Sequence, residues 1–561
     1  MSETVERAEA NPRGESLLTH RQILTILSGL LLGMFLAALD QTIVSSAMKT
    51  IADELQGQTL QAWATTAYLI TATITTPLYG KLSDIYGRKP MYLTAIGLFL
   101  AGSLLSGIAT SMYELAAFRA VQGLGAGGLM SLGMAILADI TSPRERSKYS
   151  AYFMAVFGVS SVAGPVVGGL FAGLDSFAGI AGWRWVFLIN VPIALIALVV
   201  VAKVLNVPHK RVDHRIDFWG AALLSIGLVP LLIVAEQGRE WGWASGTSIA
   251  MYALGVVGVV GFVLNEKRMG DEALLPLRLF RSGTFSLGNT INFVMGIGMF
   301  GGMVSLPLYL QIVKGASATE AGLMLLPLTF GIMSAAGISG QITARTGRYK
   351  LFPIMGFALM AGALFAFSTI GTDTSNAFTL SMMFVMGAGL GLCMQTLLLA
   401  IQNNAEPRDM GVATSSATFF RQIGGTVGTA VFLSILFSSV GDKIGNALRT
   451  AFGNPDFQAA LAKPENAQFA QSLQGGGGSG VDLNNTEFLK TLDPVLARPF
   501  LDGFSGAIDT VFLVGGVVVL IGFVLVWFLK EVPLSMRSGL ERMNDENAAK
   551  EAAAAPPLPI H

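Results

Sequence analysis

Charge is scarce in this chain. Only 13 % of its 561 residues are charged, against about 25 % in an average soluble domain. Basic and acidic residues balance at 36 each, and no basic tract offers a surface to nucleic acid. The single cysteine, Cys393, lies within an apolar run, so no intrachain disulfide can form. All four histidines fall in tails or loops and no H-E-x-x-H occurs, so no metal centre is expected. A Walker A lysine motif is also missing, which argues against ATP-driven chemistry within the chain. No cofactor and no enzymatic role are expected. The N-terminus is polar through Arg21 and lacks the charged start, short apolar core and cleavage site of a signal peptide. The first apolar segment is therefore expected to be retained and to act as its own targeting signal.

Apolar residues, by contrast, make up 52 % of the chain, and glycines number 66. Runs such as "ILTILSGLLLGMFLAAL" and "TVFLVGGVVVLIGFVLVWFL" approach the ~20 residues needed to cross a bilayer. Small residues suit close helix packing in lipid. Hydropathy predicts an all-α integral membrane protein with fourteen spans near 22–47, 62–81, 91–109, 112–138, 149–172, 184–203, 217–236, 247–265, 285–311, 319–341, 351–371, 376–401, 411–440 and 506–530. The loops after even-numbered spans carry eighteen Lys and Arg, and the short loops of the other face carry Lys49, Arg239 and Lys314. The positive-inside rule then places both termini in the cytoplasm of a multi-pass protein of the cell membrane.

Two stretches repeat. "GKLSDIYGRKP" follows the second span and "GQITARTGRYK" the tenth, so Gly80, Gly87 and Arg88 match Gly340, Gly347 and Arg348 at a constant offset of 260. Parallel repeats of this kind build two rocking halves around a central site. The offset implies a 6+2+6 order: a cytoplasmic tail 1–21, a six-helix half 22–203, two inserted helices 217–265, a second half 285–530 and a tail 531–561. The second half includes an outer-face segment, 441–505, whose middle reads "QSLQGGGGSG" and whose first part has helix-like spacing. The tail "NDENAAKEAAAAPPLPIH" has the composition of a disordered segment.

Charges inside the apolar runs are the candidates for function. Asp40 lies in "FLAALDQTIVSSAM" with no basic residue until Lys49. A charged Asp at a helix centre costs roughly 2.5–3.5 kcal/mol, so it should face water, a cation or an Arg. Asp40 is about 25 Å along its helix from Ile23, and Arg119 in "RAVQGLGAGG" enters from the outer face and lies about 10 Å deep, so both fall in the outer half and a pair is geometrically allowed. Alternatively, Asp40 merely locks the first and fourth helices together. Gly123, Gly125 and Gly128 also spell G-x-G-x-x-G. No strand precedes them, so helix packing explains them better than a dinucleotide. In the repeated loop, Gly80 lets helix ends approach, Asp84 can cap or pair near a helix terminus, and Arg88 and Lys89 hold the turn in the cytoplasm. A merely basic loop would explain Arg88 and Lys89 but neither Asp84 nor the repeat, and Ala344 replaces Asp84 in the second copy. "GVSSVAGPVVGG" gathers Gly158, Gly164, Pro165, Gly168 and Gly169, a kink among small residues that permits sliding contact.

These stretches resemble the signature motifs of the major facilitator superfamily. "LAALDQTIVSSAM", "WRWVFLINVP" and "FFRQIGG" are similar to its fourteen-helix drug:proton antiporter branch. The resemblance covers roughly residues 20 to 440 and resumes at the last span. It implies a major facilitator fold with two pseudo-symmetric six-helix halves, and Asp40, with Arg119, as proton-coupling or substrate-contact residues. It also implies a conformational latch at 80–89 and an antiporter motif at 158–169. Cavity-lining candidates are Met394, Gln395, Gln402 and Asn403 in "CMQTLLLAIQNN" and Tyr309 and Gln311 in "LPLYLQ". Arg421, about 15 Å from the inner end of its helix, would meet an anionic group or hold a backbone carbonyl. Helices ten and thirteen carry no carboxylate beyond Glu320, which argues against a preference for dications. The expected activity is proton-driven export of hydrophobic or amphipathic small molecules by a monomer in the bilayer. An exporter of lipids or envelope precursors, and a membrane scaffold that kept only the fold, are the rival readings.

Overall fold

The computed structural model describes residues 19–56, 61–206, 217–316, 318–406, 409–466, 469, 489 and 492–534. The terminal tails and the "QSLQGGGGSG" stretch fall outside these residues. In an apolar run the backbone's polar groups find partners only within a helix, and helices dominate. Among the described residues, fourteen helices of fifteen or more residues follow in order. They are α1 (His20–Glu54), α2 (Gln61–Tyr86), α3 (Arg88–Gly107), α4 (Met112–Ile140), α5 (Pro143–Ala172), α6 (Asn190–Val204) and α7 (Phe218–Trp241). Then come α8 (Gly246–Met269), α9 (Gly283–Leu308), α10 (Leu326–Thr346), α11 (Leu351–Phe367), α12 (Asn376–Asn403), α13 (Met410–Ala451) and α14 (Pro494–Trp527). Twelve of them are long and apolar enough to cross a membrane, α6 only together with the turns that lead into it from Gly182. The other two are α11, apolar but only 17 residues long, and α2, whose threonines and charged end dilute its hydropathy.

Packing follows the repeat. In the first half α1 packs on α5 and α6, α2 on α4, and α3 on α4 and α6. In the second, α9 packs on α13 and α14, α10 on α12, and α11 on α12 and α14, which is the same pattern displaced by eight helices. Glycines make these contacts close. A side chain at Gly123 or Gly127 would collide with the Tyr68 or Ala72 carbonyl of α2, and one at Gly387 or Gly391 with the Leu328 or Ile332 carbonyl of α10. The G-x-G-x-x-G run is thus a packing seam, with Gly125 against α3 as well. Across the halves, α2 meets α13 and α5 meets α10. The inserted α7 and α8 pack on each other, and only α7 reaches α2 and α13. Only 17 % of the apolar window of α8 is buried, so it turns its valines outward to lipid.

The repeated loops have a backbone cause. Gly87 ends α2 at φ 97° and Gly347 ends α10 at φ 72°, left-handed turns that glycine adopts without strain. Three features depart from the predicted spans. A two-stranded hairpin, β1 (Ser176–Phe177) with β2 (Ile180–Ala181), follows α5 and turns through Ala178 and Gly179 at positive φ. A π-helical turn, Tyr309–Val313, follows Pro307 at the end of α9, where proline removes a ladder hydrogen bond. Lastly, α13 and α14 extend well past the expected 440 and 506 boundaries. The buried stripe Val440, Ile444 and Leu448 continues the helix and packs with Phe500 and Phe504, while Gly503 lets α14 lie on Ile444. Lys463 bonds Asp493, the cap of α14, at 2.7 Å.

Candidate transport pathway

Asp40 sits at the centre of a buried polar cluster in the first half. Arg119 donates to its Oδ2 at 2.6 Å, and Gln122 and Asn190 each donate to its Oδ1 at 2.8 Å. Arg119 also donates to Gln122 at 2.8 Å. Ser103 receives Gln122 and Asn190 at 3.2 and 3.0 Å and donates to the Phe187 carbonyl at 3.0 Å. Asp40, Gln122, Asn190 and Ser103 have no solvent exposure, and Arg119 has 1 %. The cluster thereby joins α1, α3, α4 and α6. Three further hydrogen bonds to the ion pair, two donated to Asp40 and one accepted from Arg119, offset much of the desolvation that burying two charges costs. Among the described residues, Arg119 Nε and Asn190 Oδ1 have no hydrogen-bond partner. The ring of Tyr68 covers the guanidinium at 4.1 Å.

Beyond Tyr68 lies a cavity of about 240 Å³ between the two halves. Its wall comes from α1, α2, α4 and α5 and from their counterparts α9, α10, α12 and α13. Met130, Met154, Met299, Met333 and Met394 make it apolar and adaptable. Gln41, Thr73, Gln422, Thr426 and Arg421 supply polar groups. A second chamber of about 440 Å³ adjoins it towards the end of the bundle that bears the hairpin, and Gln41, Tyr68, Leu69, Ser161 and Thr329 line both. Arg119 reaches the wall of this second chamber. Among the described residues, no Asp or Glu lines either chamber.

The opposite, basic end is closed. Arg88 pairs with Asp84 at 2.6 Å and with Asp139 at 2.7 Å, and also donates to Ser83. The start of α13 packs on this group. A Cβ at Gly411 would lie 2.5 Å from Asp84 Oδ1 and 2.6 Å from Arg88 Nη1, and Gly80 rests against Ser415 and the Gly411 carbonyl. Arg146 of α5 donates to Gln402 of α12 at 2.5 Å, and Gln402 donates to Thr414 at 2.8 Å. Arg278, between α8 and α9, grips both oxygens of Asp409 at 2.8 and 2.7 Å. Lys81 donates to the Asp271 carbonyl at 2.9 Å.

Residues 30–429 match the family model described as Major Facilitator Superfamily. The chain belongs to the major facilitator superfamily. The "Multidrug transporter protein MdtP" of Bacillus subtilis is 33 % identical over 539 residues, 94 % of this chain and 96 % of that protein. The "Tetracycline resistance determinant" of Streptomyces rimosus is 39 % identical over 349 residues, 61 % of this chain and 99 % of that one. A solved structure of the proton:xylose symporter XylE, 16 % identical, superposes with a TM-score of 0.59 over 94 % of this chain and 99 % of that one. At that identity the likeness shows the fold. Membership makes the chain a multi-pass membrane transporter rather than an enzyme.

Within this superfamily fold the expected residues separate into groups. Asp40 and Arg119 meet, as do Gly80, Asp84 and Arg88. Gly87 supplies the turn, while Lys89 instead bonds Asn206 at 2.7 Å. Gly164 and Gly168 admit Thr42 and Ser46 of α1, Gly158 admits Met333 of α10, and a Cβ at Gly322 would lie 3.8 Å from the Pro165 ring. A Cβ at Gly169 would meet no described residue beyond its own helix within 4 Å. Of the cavity candidates, Met394 and Arg421 line the chamber between the halves. The others point elsewhere. Gln395 and Gln402 sit in a small pocket with Arg146 at the closed end, Asn403 reaches the Val532 and Pro533 carbonyls, Tyr309 donates to the Gly371 carbonyl at 2.9 Å, and Gln311 is exposed. Gln395 and Gln402 thus face the first half, but at the closed end and not in the chamber, whereas helix rotation explains the other three, since hydropathy gives depth but not facing. Sequence reasoning missed Ser103, Gln122, Asn190, Tyr68 and Asp139. Gln122 follows Arg119 by three residues, a shared helix face, and was the one signal within reach.

Proposed function

We propose that the chain is a proton-coupled exporter of hydrophobic or amphipathic small molecules, working by alternating access in a fourteen-span 6+2+6 arrangement. The observation that carries this reading is the cavity between the halves, methionine-rich and bordered by a buried Asp40–Arg119 cluster just behind Tyr68. An apolar chamber with a few polar groups suits varied greasy cargo. The names of the relatives, a multidrug transporter and a tetracycline resistance determinant, support the same class of cargo. The fourteen-span reading is supported by α2 and α11, each of which packs lengthwise on a spanning neighbour, α4 and α12. The excess of Lys and Arg at the closed end supports a cytoplasmic placement of that end and of both termini. The chambers then open towards the outside, where a proton would enter.

The energetics are adequate. One charge crossing 100 mV supplies ~2.3 kcal/mol, and ~1.4 kcal/mol is a tenfold ratio, so one proton sustains roughly a 40-fold gradient of a neutral molecule. The test is uphill dye accumulation by purified protein in liposomes under an imposed pH gradient. Accumulation that collapses with a protonophore is the expected result. Dye binding without any gradient-driven accumulation would mean a scaffold or a passive carrier instead.

A further inference from the structure

The polar groups of the cavity are not balanced in charge. Arg421 is the cation in the wall of the chamber between the halves, and among the described residues no Asp or Glu lines that chamber or its neighbour. The Asp40 carboxylate is already committed to Arg119, Gln122 and Asn190. Among the described residues Arg421 forms neither an ion pair nor a hydrogen bond through its guanidinium. An arginine stays charged at any physiological pH, so this group holds a fixed positive charge in a largely apolar space. Such a charge is costly without a partner.

The backbone beneath Arg421 is built to hold it in place. Gly424 and Gly428 let α13 press on Phe293 and Ile297 of α9, and Gly296 abuts the Arg421 carbonyl. The same run leaves Thr418, Gln422 and Thr426 beside Arg421 on the cavity face. Gly425, one turn on, also borders the cavity and adds no side chain in front of the guanidinium. A guanidinium on a closely packed backbone, with hydroxyl and amide neighbours, matches a carboxylate, sulfonate or phosphate, and the methionines beyond it match an alkyl or aromatic body.

We propose that Arg421 is the head-group ligand of the cavity and that the cargo is an amphiphile bearing an anionic group. This rests on the exporter reading for its transport consequence but concerns binding. The test uses the full chain in nanodiscs of neutral lipid, with empty discs subtracted, and three matched radiolabelled probes: dodecanoate, dodecanol and dodecylamine. Wild-type protein should prefer dodecanoate. Arg421→Gln should weaken dodecanoate at least tenfold while dodecanol binding, which also reports a folded cavity, stays within twofold, and Arg421→Lys should recover part of the loss. Preference for dodecylamine, equal loss of all three probes in Arg421→Gln, or no loss at all would each overturn the assignment. A parallel arm adds phosphatidylglycerol to the discs. Competition with dodecanoate that Arg421→Gln abolishes identifies a lipid head group as an occupant of the same site, and unchanged dodecanoate binding identifies free amphiphiles. Charge-selective binding in a protein that fails to accumulate dye uphill would refute export and leave this site standing.

Discussion

The ring of Tyr68 lies 4.1 Å from the guanidinium carbon of Arg119, and the same ring lines both chambers. Tyr68 is therefore the partition between the buried ion pair and the chamber between the halves, while Arg119 itself borders the second chamber. A cation–π contact of this kind contributes ~0.5–2 kcal/mol, and its larger effect here is to keep water from Asp40. Tyr68→Phe keeps the ring and should change transport little. Tyr68→Ala removes the partition and should raise substrate-free proton leak severalfold in liposomes loaded with a pH-sensitive dye. Equal leak in the two variants would mean that the ring is no barrier.

The closed end offers a second expectation. Gly411 faces Asp84 and Arg88 so closely that a Cβ would lie 2.5–2.6 Å from their polar atoms. Gly411→Val should wedge α13 away from α2 and favour the form open at the basic end. Labelling of a cysteine placed at Met394, in a Cys393→Ser background, should become faster from that side. Asp84→Asn should leave expression intact but slow turnover about tenfold, the equivalent of ~1.4 kcal/mol on the barrier. Wild-type turnover in a well-folded Asp84→Asn variant would remove the carboxylate from the latch.

Two glycines of one motif should behave differently. A Cβ at Gly164 would collide with Thr42 of α1, whereas one at Gly169 would meet no described residue beyond its own helix within 4 Å. Gly164→Ala overpacks the α1–α5 seam, and overpacking costs about 1–3 kcal/mol, so the apparent melting temperature should fall by several degrees. Gly169→Ala should be silent. Thermal unfolding monitored by size-exclusion chromatography checks both, and equal effects would show that space at the seam is not what selects glycine.

How legible all this was depends on the kind of residue. Asp40 and Arg119 stood out because a charge in an apolar run is costly, and cost limits the explanations, while Asp84 stood out as the acid in a repeated basic loop. The paired halves were legible through Gly80, Gly87 and Arg88 and their copies 260 residues on, two of which prove to be positive-φ turns. Ser103, Gln122 and Asn190 were not, because neutral polar residues are cheap in a membrane helix and occur for many reasons. Tyr309 shows the limit of reading depth without rotation: it lies on the turn that ends α9, yet its hydroxyl meets the Gly371 carbonyl and not the central cavity. The extensions of α13 and α14 were hidden for another reason. Hydropathy falls at Gly441–Lys443, while the spacing of Val440, Ile444 and Leu448 keeps one face buried.

The last expectation concerns Asp40 itself. In the present form its two oxygens accept three hydrogen bonds and see no solvent, so a proton can reach it only when the cluster loosens. Two roles fit that geometry. If Asp40 carries the coupling proton, protonation from the outer chamber releases Arg119, and deprotonation at the other face restores the 2.6 Å bond. If it is only a lock, the bond persists through the cycle and the proton travels elsewhere. Asp40→Asn separates the two, since it keeps size and most hydrogen-bonding shape but removes the charge. The carrier role makes uphill accumulation vanish while downhill exchange of the same dye persists. Removing one partner of a buried pair can cost ~3–5 kcal/mol, so the exchange assay also serves as the control for folding. Arg119→Lys should impair accumulation as well, because a lysine lacks the planar fork that reaches Asp40 and Gln122 together. The measurement is dye uptake into liposomes under an imposed pH gradient, beside equilibrium exchange without one. Full uphill transport by Asp40→Asn would leave Asp40 a lock between helices and send the search for the proton site to other residues.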